Sequence, residues 1–212
     1  MILLPLFPLQ IVVFPGETLP LHIFEKRYRE LLSDCEQEGT SFGIPTVLDG
    51  KITFGTEIEL LRVEERYENG NLDIVCRGKG VFRVERFINP MEDKLYPGGS
   101  IQFLSNIEDG TPSQRKKVHK LIKELYHEMS VEMPKVDAES FNSFTLAHKI
   151  GMSVKQELEL LQLIYESERL KYLISHLKTI IPVIKEVNRT KEIIQLNGHF
   201  RSFDPMDFKS IK

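Results

Sequence analysis

Hydrophobic residues occur in short, closely spaced runs through the first half of the chain, and several runs alternate with polar positions. A period of two indicates half-buried β-strands. The Asn69-Gly70 pair between two such runs favours a tight β-hairpin. The pattern predicts strands at residues 2–7, 11–13, 42–48, 52–67, 72–76, 81–87 and 101–104.

One helix interrupts these predicted strands. Apolar residues recur three or four positions apart from Ile23 onward, and Gly39 follows as an end signal. The positions on this face are Phe24, Tyr28, Leu31, Leu32 and Cys35. The spacing predicts that Phe24 is buried, so that Phe24→Ala would cost about 3–5 kcal/mol of stability. Short strands without alternating β and α units favour a small barrel-like sheet over a doubly wound fold.

The second half of the chain has helical spacing. Thr111-Pro112 predicts a helix start, Pro134 its end, residues 141–150 a shorter helix, and a capping box from Ser153 to Gln156 the next one. A long last helix is predicted, with Pro182 on the side opposite its apolar seam. The seam consists of Leu170, Leu173, Leu177, Ile180, Ile184 and Val187. The fold class is therefore α+β, with a β-rich part over residues 1–108 and a helical bundle over 109–195.

The last part of the chain, residues 196–212, is rich in aromatic side chains for a polar terminus. Gly198 and Pro205 are expected to prevent a continuous helix there. Two interpretations fit Phe200, Phe203 and Phe208: they fold back onto the protein, or they bind a partner protein. These three residues are therefore the candidate protein-binding residues.

Composition and charge narrow the function classes. The 212 residues carry a net charge of −3, which gives no general attraction to nucleic acid or to an anionic membrane. Cys35 and Cys76 are too few for a disulfide framework and are expected to be free thiols in a reducing compartment. Since no signal peptide or bilayer-length apolar segment is recognised, we expect a cytoplasmic protein.

A search for catalytic motifs finds only incomplete ones. Gly50-Lys51 lacks the first glycine and the metal-binding hydroxyl of a phosphate loop, and His127-Glu128 lacks the second histidine of a zinc-protease motif. His22 and Glu25 are the remaining acid–base candidates, although Glu25 at a helix start and Arg27 beside it also have a structural explanation. We expect no catalytic, cofactor-binding or metal-binding residues, and no ATP binding.

The residues around His22 resemble a known family. The segments PLFPL at 5–9, VFPGETLPLHIFE at 13–25 and RYREL at 27–31 are similar to the N-terminal substrate-binding domain of Lon proteases. Weaker similarities follow at FGI (42–44), GVFRV (80–84), KQEL (155–158) and ERL (168–170), so that the resemblance covers residues 2–180. The ATPase and Ser–Lys peptidase motifs of a complete Lon protease are not recognised.

The resemblance implies a PUA-like β pseudo-barrel followed by a helical bundle. It also implies a non-catalytic module that binds unfolded or degron-bearing polypeptides, as an adaptor or regulator of proteolysis, with a protease as a further candidate partner. Two alternatives remain: an RNA-binding module of PUA-like type, and an enzyme that uses His22 and Glu25. The acidic net charge and the absence of tryptophan disfavour the RNA-binding alternative.

Overall fold

The computed structural model describes residues 2–133, 136 and 141–200, with the backbone alone for 195–200. The β-rich part contains β1 (Ile2–Pro5), β2 (Thr18–Ile23), α1 (Lys26–Glu38), β3 (Phe42–Leu48), β4 (Lys51–Arg66), β5 (Leu72–Ile88) and β6 (Gly98–Phe103). The helical part contains α2 (Pro112–Glu128), α3 (Val154–Leu161) and α4 (Glu166–Phe200). The prediction of a β-rich part followed by helices is confirmed.

All strand pairs are antiparallel, in the order β1-β6-β5-β4-β3, and β2 pairs separately with the first half of β5. The chain after β1 returns to β3, because Leu6 and Leu9 form parallel bridges with Gly43 and Thr46. The sheet therefore closes on itself, and only β2 lies outside the closed order among the described strands. Register shifts between β4 and β5 allow the two long strands to bend around this closure.

Two predictions in this half are wrong, and one strand was missed. Residues 72–76 and 81–87 are not separate strands but belong to β5, which continues through Gly78. The pairing of β4 with β5 shifts register between Thr56–Val81 and Ile58–Gly78, and a Cβ at Gly78 would overlap the carbonyl oxygen of Phe14, so this glycine lies at a bulge and a close backbone approach. Residues 11–13 form no strand, although Val12 and Val13 are buried. Strand β2 was not predicted.

The two parts of the chain share one continuous packing arrangement. One core lies between the sheet and α1 and includes Leu31, Phe42 and Ile74. A second core joins α2, α3 and α4, and Phe14 and Val81 from the β-rich part are members of it. Because these two residues pack among helical side chains, the sheet and the helices are held together by buried apolar surface.

The helices begin where the sequence predicts but end differently. Capping boxes start α2 at Thr111 and α3 at Ser153. Helix α2 ends at Glu128, before Pro134, and residues 141–150 contain only a 3-10 turn at Ala147–Lys149. Helix α4 continues through Gly198 to Phe200, so the predicted break at Gly198 is wrong. A single glycine costs a helix only about 1 kcal/mol, which flanking helix-forming residues can offset.

A buried ion network holds α4 to the rest of the helical part. The Glu166 carboxylate is fully buried and accepts hydrogen bonds from Arg169 Nε (2.9 Å), Ser143 Oγ (2.7 Å) and Arg115 Nη1 (3.1 Å). It also accepts one from the backbone N–H of Ser143 at 2.9 Å. Arg169 in turn donates to Asn106 Oδ1 at 2.6 Å and lies over the ring of Phe144. These bonds explain why residues around Ser143 are irregular rather than helical.

Candidate functional site

Strand β2 is an edge strand. Its residues pair with β5 from Thr18 opposite Arg77 to Ile23 opposite Leu72, and no other described strand pairs with it. The backbone C=O of Glu17 accepts a hydrogen bond from the N–H of Gly78 at 2.9 Å, and this bond shows which residues of β2 direct their backbone groups toward β5. Hydrogen-bonded and non-bonded pairs alternate in antiparallel sheets, so the backbone groups of Thr18, Pro20 and His22 point away from β5.

The side chains of this edge form an exposed row of Thr18, Pro20, His22 and Phe24. Phe24 is 62% exposed, so the prediction that it belongs to the core is wrong. The physical reason is that α1 begins at Lys26 with Glu25 as its N-cap, and Phe24 therefore precedes the helix whose spacing it seemed to follow. Ile23 is buried in its place.

The aromatic cluster of His22, Phe24 and Tyr67 lies at the end of this row. The His22 ring stacks on Phe24 with centroids 6.2 Å apart and meets the edge of Tyr67 at 5.8 Å. His22 Nδ1 lies 2.6 Å from Asp73 Oδ1, and the Tyr67 hydroxyl donates to Asp73 Oδ2 at 2.6 Å. The pKa of Asp73 is lowered by the bonds from Tyr67 and His22, and the pKa of Tyr67 is raised by the same carboxylate. The imidazole is thus held in place at the surface.

The proposed acid–base pair of the enzyme alternative is not formed. Glu25 pairs with Arg27 at 2.7 Å, while His22 is bonded to Asp73. Among the described residues, no group of three His, Cys, Asp or Glu side chains is arranged to hold a metal ion. The arrangement can therefore present an oriented imidazole and apolar rings to a partner, which is a property of recognition surfaces.

The opposite end of β2 opens into a cleft of about 520 Å³ between residues 14–18 and residues 142–149. The rings of Phe14 and Phe144 stack in it with centroids 5.1 Å apart. His148 Nε2 lies 3.1 Å from Glu17, and Nδ1 lies 2.8 Å from Glu157. The bond to Glu17, and then that to Glu157, raises the pKa of His148 to about 9 against the opposing effect of burial. A protonated histidine therefore bridges the β-rich and helical parts at neutral pH.

The predicted protein-binding residues of the tail are not tested by these observations. Phe200 ends α4, but its side chain, like Phe203 and Phe208, lies outside the described residues. Sequence reasoning missed the edge of β2, together with Tyr67 and Asp73. A signal was present, because Leu19, Leu21 and Ile23 alternate with Thr18, Pro20 and His22 as a half-buried strand requires.

Within the described residues, no helix combines the length and the apolar composition needed to cross a lipid bilayer. No curated protein matches the chain. A solved Lon N-terminal domain protein from Xanthomonas campestris is 29% identical, with a TM-score of 0.66 over 82% of this chain and 98% of that one. The N-terminal domain of the Mycobacterium avium complex Lon protease is 16% identical and shares the fold, with a TM-score of 0.60 over 83% of this chain and 98% of that one.

The family model of the substrate-binding domain of the ATP-dependent protease La (Lon) matches residues 3–179. This range includes the closed sheet, α1, α2, α3 and the first turns of α4. The chain therefore belongs to the Lon substrate-binding domain family.

Proposed function

We propose that this chain is a non-catalytic polypeptide-binding module and that the aromatic cluster at the end of β2 is part of its binding surface. The observation that carries this proposal is Phe24, a large apolar side chain that is 62% exposed beside an ordered imidazole. An exposed aromatic ring gains nothing for the fold, but it contributes strongly to binding when a partner removes it from water. Unfolded polypeptides offer suitable partner groups, because they expose apolar side chains that folded proteins bury.

The proposal includes the finer features implied by the family. The closed sheet is a PUA-like pseudo-barrel over residues 1–108, and the helices over 109–195 form a bundle against it. The partners are unfolded or degron-bearing polypeptides, and the module acts as an adaptor or regulator of proteolysis. The membership of the chain in a substrate-binding family supports this role.

The decisive experiment compares Phe24→Ala with Phe87→Ala, since both phenylalanines are exposed but Phe87 lies on β5 outside the aromatic cluster. Fluorescently labelled casein serves as the unfolded polypeptide, and anisotropy measures its binding. We expect Phe24→Ala to weaken binding about tenfold or more, as truncation of an interface aromatic does, and Phe87→Ala to bind like wild type. Equal binding by all three proteins would contradict the proposed surface.

Stability measurements make this result interpretable. Because Phe24 is exposed, Phe24→Ala should change the free energy of unfolding by no more than about 0.5 kcal/mol. Leu31→Ala, at a fully buried position of α1, should cost about 2–5 kcal/mol and serves as the positive control for a core truncation. A loss of binding without a loss of stability would identify Phe24 as a contact residue.

The tail remains a second proposed contact region, through Phe200, Phe203 and Phe208. Deletion of residues 197–212 distinguishes its two interpretations. A melting temperature lowered by several degrees supports packing onto the protein's own surface, whereas unchanged stability with weaker casein binding supports contact with the partner. If neither changes, the aromatic residues of the tail have neither role.

A further inference from the structure

We infer that the polypeptide binds as an added β-strand along the free edge of β2. This inference rests on the proposed polypeptide-binding function and specifies how the ligand is held. The edge offers the N–H and C=O groups of Thr18 and His22 and the C=O of Pro20, which are two donors and three acceptors directed away from β5. None of the hydrogen bonds of the described residues outside the strand ladders uses these groups.

The position of Pro20 supports the orientation of these groups. Proline has no N–H, so in a paired strand it fits only where the N–H would face away from the ladder. Pro20 lies opposite Val75, two residues from Thr18 and two from His22. The Glu17–Gly78 hydrogen bond independently shows that the backbone groups at these three positions face away from β5. An added strand could therefore form hydrogen bonds with Thr18, Pro20 and His22. Pro20, the middle residue, offers only its C=O because proline has no N–H.

The side chains along the edge define the chemistry of the ligand. The exposed row itself, Thr18, Pro20, His22 and Phe24, contains no Asp, Glu, Lys or Arg. Beside its aromatic end, Glu25 pairs with Arg27, and the Asp73 carboxylate is hydrogen-bonded to Tyr67 and His22. The ligand that fits is an uncharged, extended segment with an apolar side chain facing Phe24, and raising NaCl from 50 to 500 mM should change its affinity less than about twofold.

An N-methyl scan of a peptide tests this inference on the unaltered protein. The probe is an acetylated and amidated peptide of alternating valine and threonine with one central phenylalanine, flanked by a lysine at each end for solubility. Methylation of one backbone amide removes one donor. We expect affinity losses of about fivefold or more at alternate amides and less than about twofold at the amides between them, since only alternate amides face the edge in either strand orientation.

Two measurements on the protein side complete the test. Thr18→Pro removes a donor of the free edge without removing a ladder bond, and Thr18→Val is its matched control with the N–H intact. We expect weaker probe binding only in the proline variant. In the wild-type protein, the probe should slow amide hydrogen exchange at Thr18 and His22 while leaving Leu19 and Leu21, which face β5, unchanged.

The outcomes separate this inference from the proposed function. In one outcome, the probe and casein bind in a Phe24-dependent manner, but the methyl scan has no two-residue period and amide exchange at Thr18 and His22 is unchanged. This result would mean that the strand geometry is wrong while the polypeptide-binding function stands. If neither casein nor the probe binds the wild-type protein, the proposed function itself is wrong. A two-residue period together with protection of Thr18 and His22 supports strand addition.

Discussion

Removal of the Glu166 carboxylate should destabilise the protein more than removal of an exposed carboxylate from the same helix. Glu166→Ala would remove the carboxylate at 2.9 Å from the Arg169 guanidinium, which is 1% exposed, and would leave it the exposed Glu108 carboxylate at 3.7 Å. The substitution would also remove the acceptor of both Ser143 hydrogen bonds and of Arg115 Nη1. A buried cation that loses its anion keeps its desolvation cost without the compensating attraction.

The magnitude follows from this burial. Breaking a buried ion pair by removal of one partner costs about 3–5 kcal/mol. For a protein of 150–250 residues, each kcal/mol lowers the melting temperature by about 2–4 °C, so that Glu166→Ala should melt about 6–20 °C below wild type. A small change in the melting temperature would mean that water or a rearranged side chain solvates Arg169 in the variant.

The assay is thermal and urea unfolding followed by circular dichroism, with Glu168→Ala as the matched control. Glu168 lies two residues away in the first turn of α4 and is exposed, so its removal should cost less than about 0.5 kcal/mol. A second substitution, Arg169→Met, completes a double-mutant cycle, and the double variant should be more stable than the sum of the single losses implies. If Glu166→Ala and Glu168→Ala unfold at the same temperature, the network has no stabilising role and the reasoning is refuted.

Three further predictions concern other parts of the molecule. The pKa of His148 is raised to about 9, so its stabilising contribution is full below its unfolded value of about 6.5 and is lost as pH rises through 9. The difference in unfolding free energy between wild type and His148→Gln should therefore shrink by about 1 kcal/mol from pH 6 to pH 10, a value reduced for solvent screening; a constant difference would contradict the bridge. Burial raises the pKa of Cys35 to about 11 and that of Cys76 to about 12, so a thiol reagent at pH 8 should modify neither until the protein unfolds, and rapid labelling of the native protein would contradict this. Gly78→Ala should cost about 1–3 kcal/mol in chemical unfolding, because its Cβ would overlap the Phe14 carbonyl, and a neutral substitution would indicate that the backbones separate easily.

Features determined by local hydrogen bonds could be predicted from the sequence. The capping boxes at Thr111 and Ser153 involve residues three positions apart, and α2 and α3 begin at the predicted residues. Strand β3 occupies the predicted range, because its apolar run lies between clear end signals. Periodicity also identified Leu170, Leu173 and Leu177 as buried residues of α4.

Features determined by distant partners could not be predicted in this way. Residues 141–150 have helical spacing, but the Glu166 carboxylate binds the backbone of Ser143 and holds an irregular segment instead. Further along α4, Val187 continues the predicted seam but is exposed, because α2 ends at Glu128 and gives that part of the helix little to pack against. In the candidate site, Tyr67 and Asp73 reach His22 only through the pairing of β2 with β5, about fifty residues apart in sequence.

The length of α4 places its far end well away from the buried network at Glu166. A helix of 35 residues is about 52 Å long, and the side chain of Asn188, which donates to the carbonyl of Glu128 at 2.6 Å, still lies against α2. The side chains of residues 189–194 beyond it are exposed. Pro182 lies inside the helix, between the buried network at Glu166 and this exposed segment, and a proline is a position at which a helix bends. The 18 residues after Pro182 span about 27 Å, so a bend of only about 10° at this proline would move the far end of α4 by about 5 Å.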